Sequence, residues 1–351
     1  MRPLLTYSIV LITCSIVLPF SSWSQTRVEQ TERTDLRRRL EETVQQARKE
    51  EEEKKYSDGE SIPIIVPGEE EDIGPQFYMA VQPRKKWIRA SVDNQFYYTS
   101  NVFLTEDTAG AAEEEDTHVM VSTADFAFAP DPWELGSGKF YFQLGFRHQW
   151  YNYDLMDGAH SGLNNLDFDA QTVYTDFIYQ FANTWTAQVG FDWQRLLTHE
   201  PPVDDYSEFY KEYVPEWSLT KDFPVGENMM FSITYDGKYH FTEAENVDPD
   251  TNDRTVHSLL LSYIYSPLEN FFIQTYYNFE FTRYIHQKDP TDNRLRNDYL
   301  QTLGINTFYY ITDWASVRAF FSYDKRESDS EIIADYYKFD TGGGVSLNIS
   351  Y

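Results

Sequence analysis

Beyond Lys86 apolar residues recur at every second position, in runs of about ten, until the chain ends. Phe140, Phe142, Leu144 and Phe146 alternate with Lys139, Gln143, Gly145 and Arg147. Trp185, Ala187, Val189, Phe191 and Trp193 alternate with Gln188, Gly190, Asp192 and Gln194. Phe231, Ile233, Tyr235 and Tyr239 face away from Ser232, Thr234, Asp236 and Lys238, and Phe271 to Phe281 repeats the pattern. A period of two sends successive side chains to opposite faces of a strand, so each stretch has one oily and one wet face. A run of about ten is what a tilted strand needs to cross a bilayer. The fold class predicted is all-β: an antiparallel up-and-down transmembrane barrel.

Twelve stretches fit, roughly 87–104, 117–128, 139–152, 168–181, 185–197, 209–221, 229–242, 255–265, 271–284, 298–311, 314–324 and 336–351. The sixth is interrupted by Pro215, which cannot donate to a ladder; a bulge there would rescue the strand. Connections alternate in length. Long acidic ones (TEDTAGAAEEED, HEPPVDDYSE, EAENVDPDTNDR) alternate with tight ones such as Ala182-Asn183-Thr184 and Thr312-Asp313, and 130–138 is a longer exception. Outer-membrane barrels combine long surface loops with short periplasmic turns, which places both chain ends in the periplasm. Trp87, Trp185, Phe271 and Trp314 fall at one set of strand ends, and Trp150, Tyr153, Phe168, Tyr284, Tyr299, Tyr336 and Tyr337 near the other. Two such bands match the aromatic girdles of membrane interfaces.

The first 84 residues follow different rules. Residues 1–24 read as a secretory signal, with Arg2, an apolar stretch from Leu4 to Phe20, and Ser22-Trp23-Ser24 before a cut ahead of Gln25. Residues 25–56 form a charged arm with acid-first i,i+4 pairs such as Glu29–Arg33 and Asp35–Arg39. Leu36, Leu40, Val44 and Ala47 make only a thin apolar stripe, so a solvated periplasmic helix or a disordered arm is expected. Residues 57–84 are a Pro/Gly-punctuated acidic linker, and the barrel occupies 85–351.

Composition narrows the partners. A net charge of −28 disfavours nucleic acid, whose phosphates need a basic surface. One cysteine excludes disulfide frameworks and cysteine-built zinc sites. No cofactor or metal is called for. The acidic runs Glu113–Asp116 and Asp248–Asp250 read as a hydrophilic coat rather than cation sites. Outer-membrane lipid, the barrel-assembly machinery during insertion and small hydrophilic solutes are the expected partners.

The final segment places Val345, Leu347, Ile349 and Tyr351 on one face, and an alternating last strand closing on an aromatic residue resembles the insertion signal of bacterial outer-membrane proteins. The run Tyr97-Tyr98-Thr99-Ser100-Asn101-Val102-Phe103-Leu104, leaving the first strand for an acidic loop, resembles the opening of bacterial outer-membrane β-barrel porins. That resemblance, over about 86–351, implies a barrel and names no substrate.

If the oily faces meet lipid, the wet faces line the lumen: Arg89, Asp93, Arg147, Asp176, Asp192, Glu216, Asp236, Lys238, Glu280, Arg318, Lys338 and Asp340. Facing lipid near the midplane, an Arg or Lys would cost about 2–4 kcal/mol. Eight strands enclose a filled interior and sixteen an open channel, so twelve admits either a narrow pore or a bore closed by ion pairs. The function expected is a narrow passive pore for small hydrophilic solutes with mild cation preference. The alternatives are a structural or surface-display barrel for adhesion or envelope anchoring and, more remotely, an outer-membrane hydrolase. No catalytic residues are assigned: His160-Ser161, His257-Ser258 and His199 beside Asp204-Asp205 lack an orienting partner.

Overall fold

The computed structural model describes residues 26–45, 47–48, 87–104, 116–153, 163, 166–181, 184–199, 205–226, 228–244, 252–289, 293–330 and 333–350. The expected signal, linker and most acidic-loop residues lie outside these, as do His160, Ser161, Asp204 and Tyr351. Twelve long antiparallel strands and one short one follow in order: β1 (Ile88–Thr99), β2 (Thr117–Phe128), β3 (Trp133–Leu135), β4 (Gly138–Tyr153), β5 (Phe168–Phe181), β6 (Trp185–Thr198), β7 (Ser207–Pro224), β8 (Met229–Ala244), β9 (Arg254–Leu268), β10 (Phe271–Lys288), β11 (Leu295–Thr312), β12 (Ala315–Ser328) and β13 (Tyr336–Ser350). Each long strand pairs with its neighbours, and β1 pairs with β13, so the sheet closes. Closure leaves no unpaired edge for hydrocarbon to face.

The alternation sorts the side chains. Val92, Phe96, Leu144, Phe146, Val189, Phe191, Leu303 and Ile305 point outward and exposed, as do Val345, Leu347 and Ile349 of the last strand. The residues between them point inward. In β2 the inward set is Val119, Val121, Asp125 and Ala127, while Phe126 and Phe128 are outside.

Two irregularities differ from the sequence-based expectation. The long connection at 130–138 contains β3, a hairpin arm on β4 (Trp133 opposite Phe140) turned by Gly136 at φ 64°. Pro215 forms no bulge. The β7–β8 register is the same on both sides of it, from Tyr213 opposite Phe241 to Glu216 opposite Lys238, and the two residues between are left unpaired on that side. The proline costs ladder bonds without shifting the strand.

At the seam, Gly342 and Gly344 face the bore. A Cβ on Gly344 would meet the Asn94 carbonyl at 2.8 Å and the Arg318 guanidinium at 3.2 Å. Glycine there lets β13 lie close to β1 and leaves room for what fills the bore.

That filling is the charged arm. Residues 26–45 form a helix, α1, continued at 47 and 48. It lies inside the barrel, and its side chains from Thr26 to Glu41 include nine that are buried. The expected solvated arm is therefore corrected: it is helical, but it runs through the bore. Geometry explains the fit. Twelve strands about 4.8 Å apart and tilted about 40° enclose a backbone ring about 24 Å across. Lining side chains from facing walls take about 10 Å of that, which leaves space for one helix of 10–12 Å, roughly. At about 1.5 Å per residue, 23 residues reach about 34 Å, the depth of a bilayer core.

Candidate functional site: the occupied bore

The polarity of α1 follows from its neighbours. Arg27 lies over the Phe209 ring at 4.8 Å and its Nε donates to the Leu166 carbonyl at 3.4 Å, both beside long connections. Arg48 reaches Asp313 at 2.6 Å, in the tight β11–β12 turn. Residue 26 thus lies at the long-loop mouth, whereas β13 ends at the short-turn mouth. The chain ends themselves, and with them the expectation that both share one side, lie outside the described residues.

An apolar stripe docks α1 on one wall. Leu36 and Leu40 pack on Leu260 and Tyr276. Val44 and Ala47 meet Ile264, Phe272, Phe308 and Tyr310. Ion pairs fix the rest. Helix cations meet wall acids: Arg33 with Asp324, Arg37 with Asp340, and Arg39 with Glu216 (2.5 Å) and Asp236 (3.3 Å). Helix acids meet wall arginines: Glu29 with Arg326, Glu32 with Arg254, Asp35 with Arg147 (3.2 Å), and Glu41 with Arg318. Buried charges are costly unless paired and hydrogen-bonded, so the wall dictates which residue types α1 presents and in what order. Arg38 is the exception, pairing within the helix with Glu42 (2.7 Å) and Asp35 (3.7 Å) on its open side.

Each candidate lumen residue has a definite place. Arg89 donates to Gln143 at 3.0 Å. Asp93 takes Arg318 (2.6 Å) and Ser346 (2.5 Å). Arg147 also holds Asp125 at 3.0 Å. Asp176 accepts from Gln188 at 2.8 Å. Glu216 also takes Lys238 at 3.3 Å, Asp236 accepts from Ser258 at 2.5 Å, and Glu280 accepts from Thr282 at 3.3 Å. These and Asp192 border a cavity of about 1350 Å³ beside α1, whereas Lys338 and Asp340 lie beneath the helix, 3.5 Å apart. The sequence reading missed Asp125, Arg254, Asp324 and Arg326 on the wall and every partner on α1. The matched excess of both signs in the arm was the available signal, but in sequence a solvated charge and a paired one look alike.

The upper aromatic band divides. Trp150, Tyr299 and Tyr337 face outward, but Tyr153, Phe168 and Tyr336 are buried in the bore. Two faces of a strand end can both be aromatic, and periodicity does not separate girdle from core there.

The hydrolase candidates among the described residues do not come together. His257 faces outward against the Tyr235 hydroxyl (3.1 Å), while Ser258 faces the bore. The His199 ring packs on Tyr206 at 4.6 Å. Burial and the Asp169 carboxylate, 2.5 Å away, push the Tyr206 hydroxyl up to about 12. Among the described residues no group of three or more His, Cys, Asp or Glu could hold a metal ion. The acidic runs once weighed as cation sites lie almost wholly outside them.

No family profile matches the chain, and no curated protein does. Solved structures do. An outer-membrane channel from Pseudomonas putida F1 aligns with a TM-score of 0.45 at 9% identity, covering 78% of this chain and 100% of that one. The β domain of the Bordetella autotransporter BrkA aligns at 0.42 and 11%, covering 75% and 99%. The NanC porin aligns at 0.38 and 11%, covering 73% and 98%.

Proposed function

We propose that this chain works in an outer membrane as a narrow, passive, cation-preferring channel whose bore its own helix holds nearly shut. The carrying observation is that α1 spans the bore on charge pairs and leaves only a side cavity. Among the described residues, fifteen carboxylates and ten cationic side chains border that space, and a bore with surplus negative charge concentrates cations. Asp176, Asp192 and Glu42 lie on its open side, opposite the docked stripe. Long connections at one mouth and tight turns at the other support an orientation with the former at the cell surface. The test is planar-bilayer recording. Full-length protein should give small or rare conductance steps; removal of residues 26–48 should give larger, stable ones with cation-selective reversal potentials in a KCl gradient. Equal conductance with and without the helix would refute the proposal.

One observation favours a second reading, the non-conducting structural or display barrel: a buried apolar cluster fills one side of the bore at its long-loop end. Silence from the helix-free barrel, with folding intact, would select it.

A further inference from the structure

The cavity beside α1 reaches the short-turn mouth, where Pro130, Lys139, Thr184 and Asp313 form its rim. No described residue of the long connections borders it. Towards the long-loop end the inward faces of β2 and β4–β6 become apolar, while on the β7–β12 side they hold buried ion pairs whose charges are already matched, Arg254 with Glu212 (3.5 Å) and Arg296 with Asp298. Val121, Tyr151, Phe168 and Leu196 turn apolar side chains into the bore, and Leu163 and Leu166 fold in from the β4–β5 connection. Val28 of α1 packs on this cluster, and the Arg27 bond to Leu166 ties the first helical turn to it. An ion or polar solute entering such a layer would lose its water without gaining partners, a cost of several kcal/mol or so, and apolar constrictions of this kind close channels.

We infer that the aqueous space is a blind vestibule: solute exchanges through the short-turn mouth alone, and the barrier to the other side is the plug at the long-loop end, built from the apolar strand ends, Leu163, Leu166 and the first turn of α1 together with the buried ion pairs beside them. The inference rests on the channel reading only for which mouth faces the cell exterior. It differs from that reading in placing the gate in the plug rather than along the whole helix.

Cysteine accessibility tests it in the full chain, in a Cys14→Ser background within the outer membrane of expressing cells. Ser218→Cys reports on the vestibule, which Ser218 borders; Asp205→Cys reports on the exposed long-loop side. A membrane-impermeant maleimide should label the two from opposite sides, with at least a tenfold rate difference for each. Softening the plug with Leu166→Ser should raise labelling of Ser218→Cys from the Asp205 side at least tenfold; should that variant fold poorly, Phe209→Leu gives the same readout. Labelling of both cysteines from one side, no labelling of Ser218→Cys from either, or plug variants without effect would overturn the inference. The side from which Asp205→Cys reacts reports separately on the orientation adopted above.

Discussion

Replacing Arg33 with glutamine isolates the contribution of one charge to holding α1 in the bore. Arg33 meets Asp324 and donates to the Tyr336 hydroxyl at 2.7 Å. Asp324 is fully buried, and without Arg33 its remaining hydrogen bond is the one from Thr302 at 2.6 Å. Removing one partner of a buried pair costs about 3–5 kcal/mol, because the other charge stays desolvated. That penalty applies only while the helix is in place, since a withdrawn helix lets water reach Asp324. At about 1.4 kcal/mol per tenfold, the occupancy of a helix-out state should rise about 100- to 4,000-fold. Arg38→Gln removes an equal charge whose pairs lie within the helix on its open side; such pairs are worth about 0.3–0.5 kcal/mol, so occupancy should change about twofold. The assay is single-channel recording, scoring the fraction of time in the large-conductance state. The double variant Arg33→Met with Asp324→Leu removes both charges and should return occupancy towards that of the unaltered chain. The reasoning is refuted if Arg33→Gln and Arg38→Gln gate alike, or if the double variant opens as often as Arg33→Gln.

Three further outcomes are expected. Asp176→Asn with Asp192→Asn should lower cation preference in the helix-free barrel, read as a reversal potential closer to zero; an unchanged potential would place selectivity elsewhere. Leu303→Arg, on the outward face midway along β11, should cost about 2–4 kcal/mol, read as reduced folded yield in heat-modifiability gels, whereas inward Ser346→Thr should leave yield intact. Pro215→Val should restore a ladder donor beside β8 and raise stability by about 1 kcal/mol, seen as a higher unfolding midpoint; a lower midpoint would show that the wall needs the gap.

The wall was legible in the sequence because a membrane enforces alternation: a charge on the wrong face of β4 or β6 meets hydrocarbon at once, so Arg147 and Asp192 had one side to go to. β3 was hidden because three residues carry no period. Pro215 suggested a bulge, but an unpaired stretch costs less than rotating the outer half of β7 out of phase. The helix was legible as a helix and not as an occupant. Its stripe of Leu36, Leu40, Val44 and Ala47 is narrow because only one wall is apolar, and the remaining contacts are ionic. Tyr153 and Phe168 looked like girdle residues for a related reason: at the long-loop end the barrel is stoppered by a core of its own, a fact about tertiary neighbours that no local pattern contains.

The threading of α1 also orders the events of assembly. A ring joined through β1 and β13 cannot be completed before β13 is in place, whereas α1 precedes β1. The cylinder is therefore wrapped around a rod already in position, or the rod slides in end-on, its first turn leading, through the short-turn mouth. On either route the seam glycines 342 and 344 set how closely β13 meets β1, and a side chain at either should leave the cylinder without its clasp and α1 without a wall to hold it.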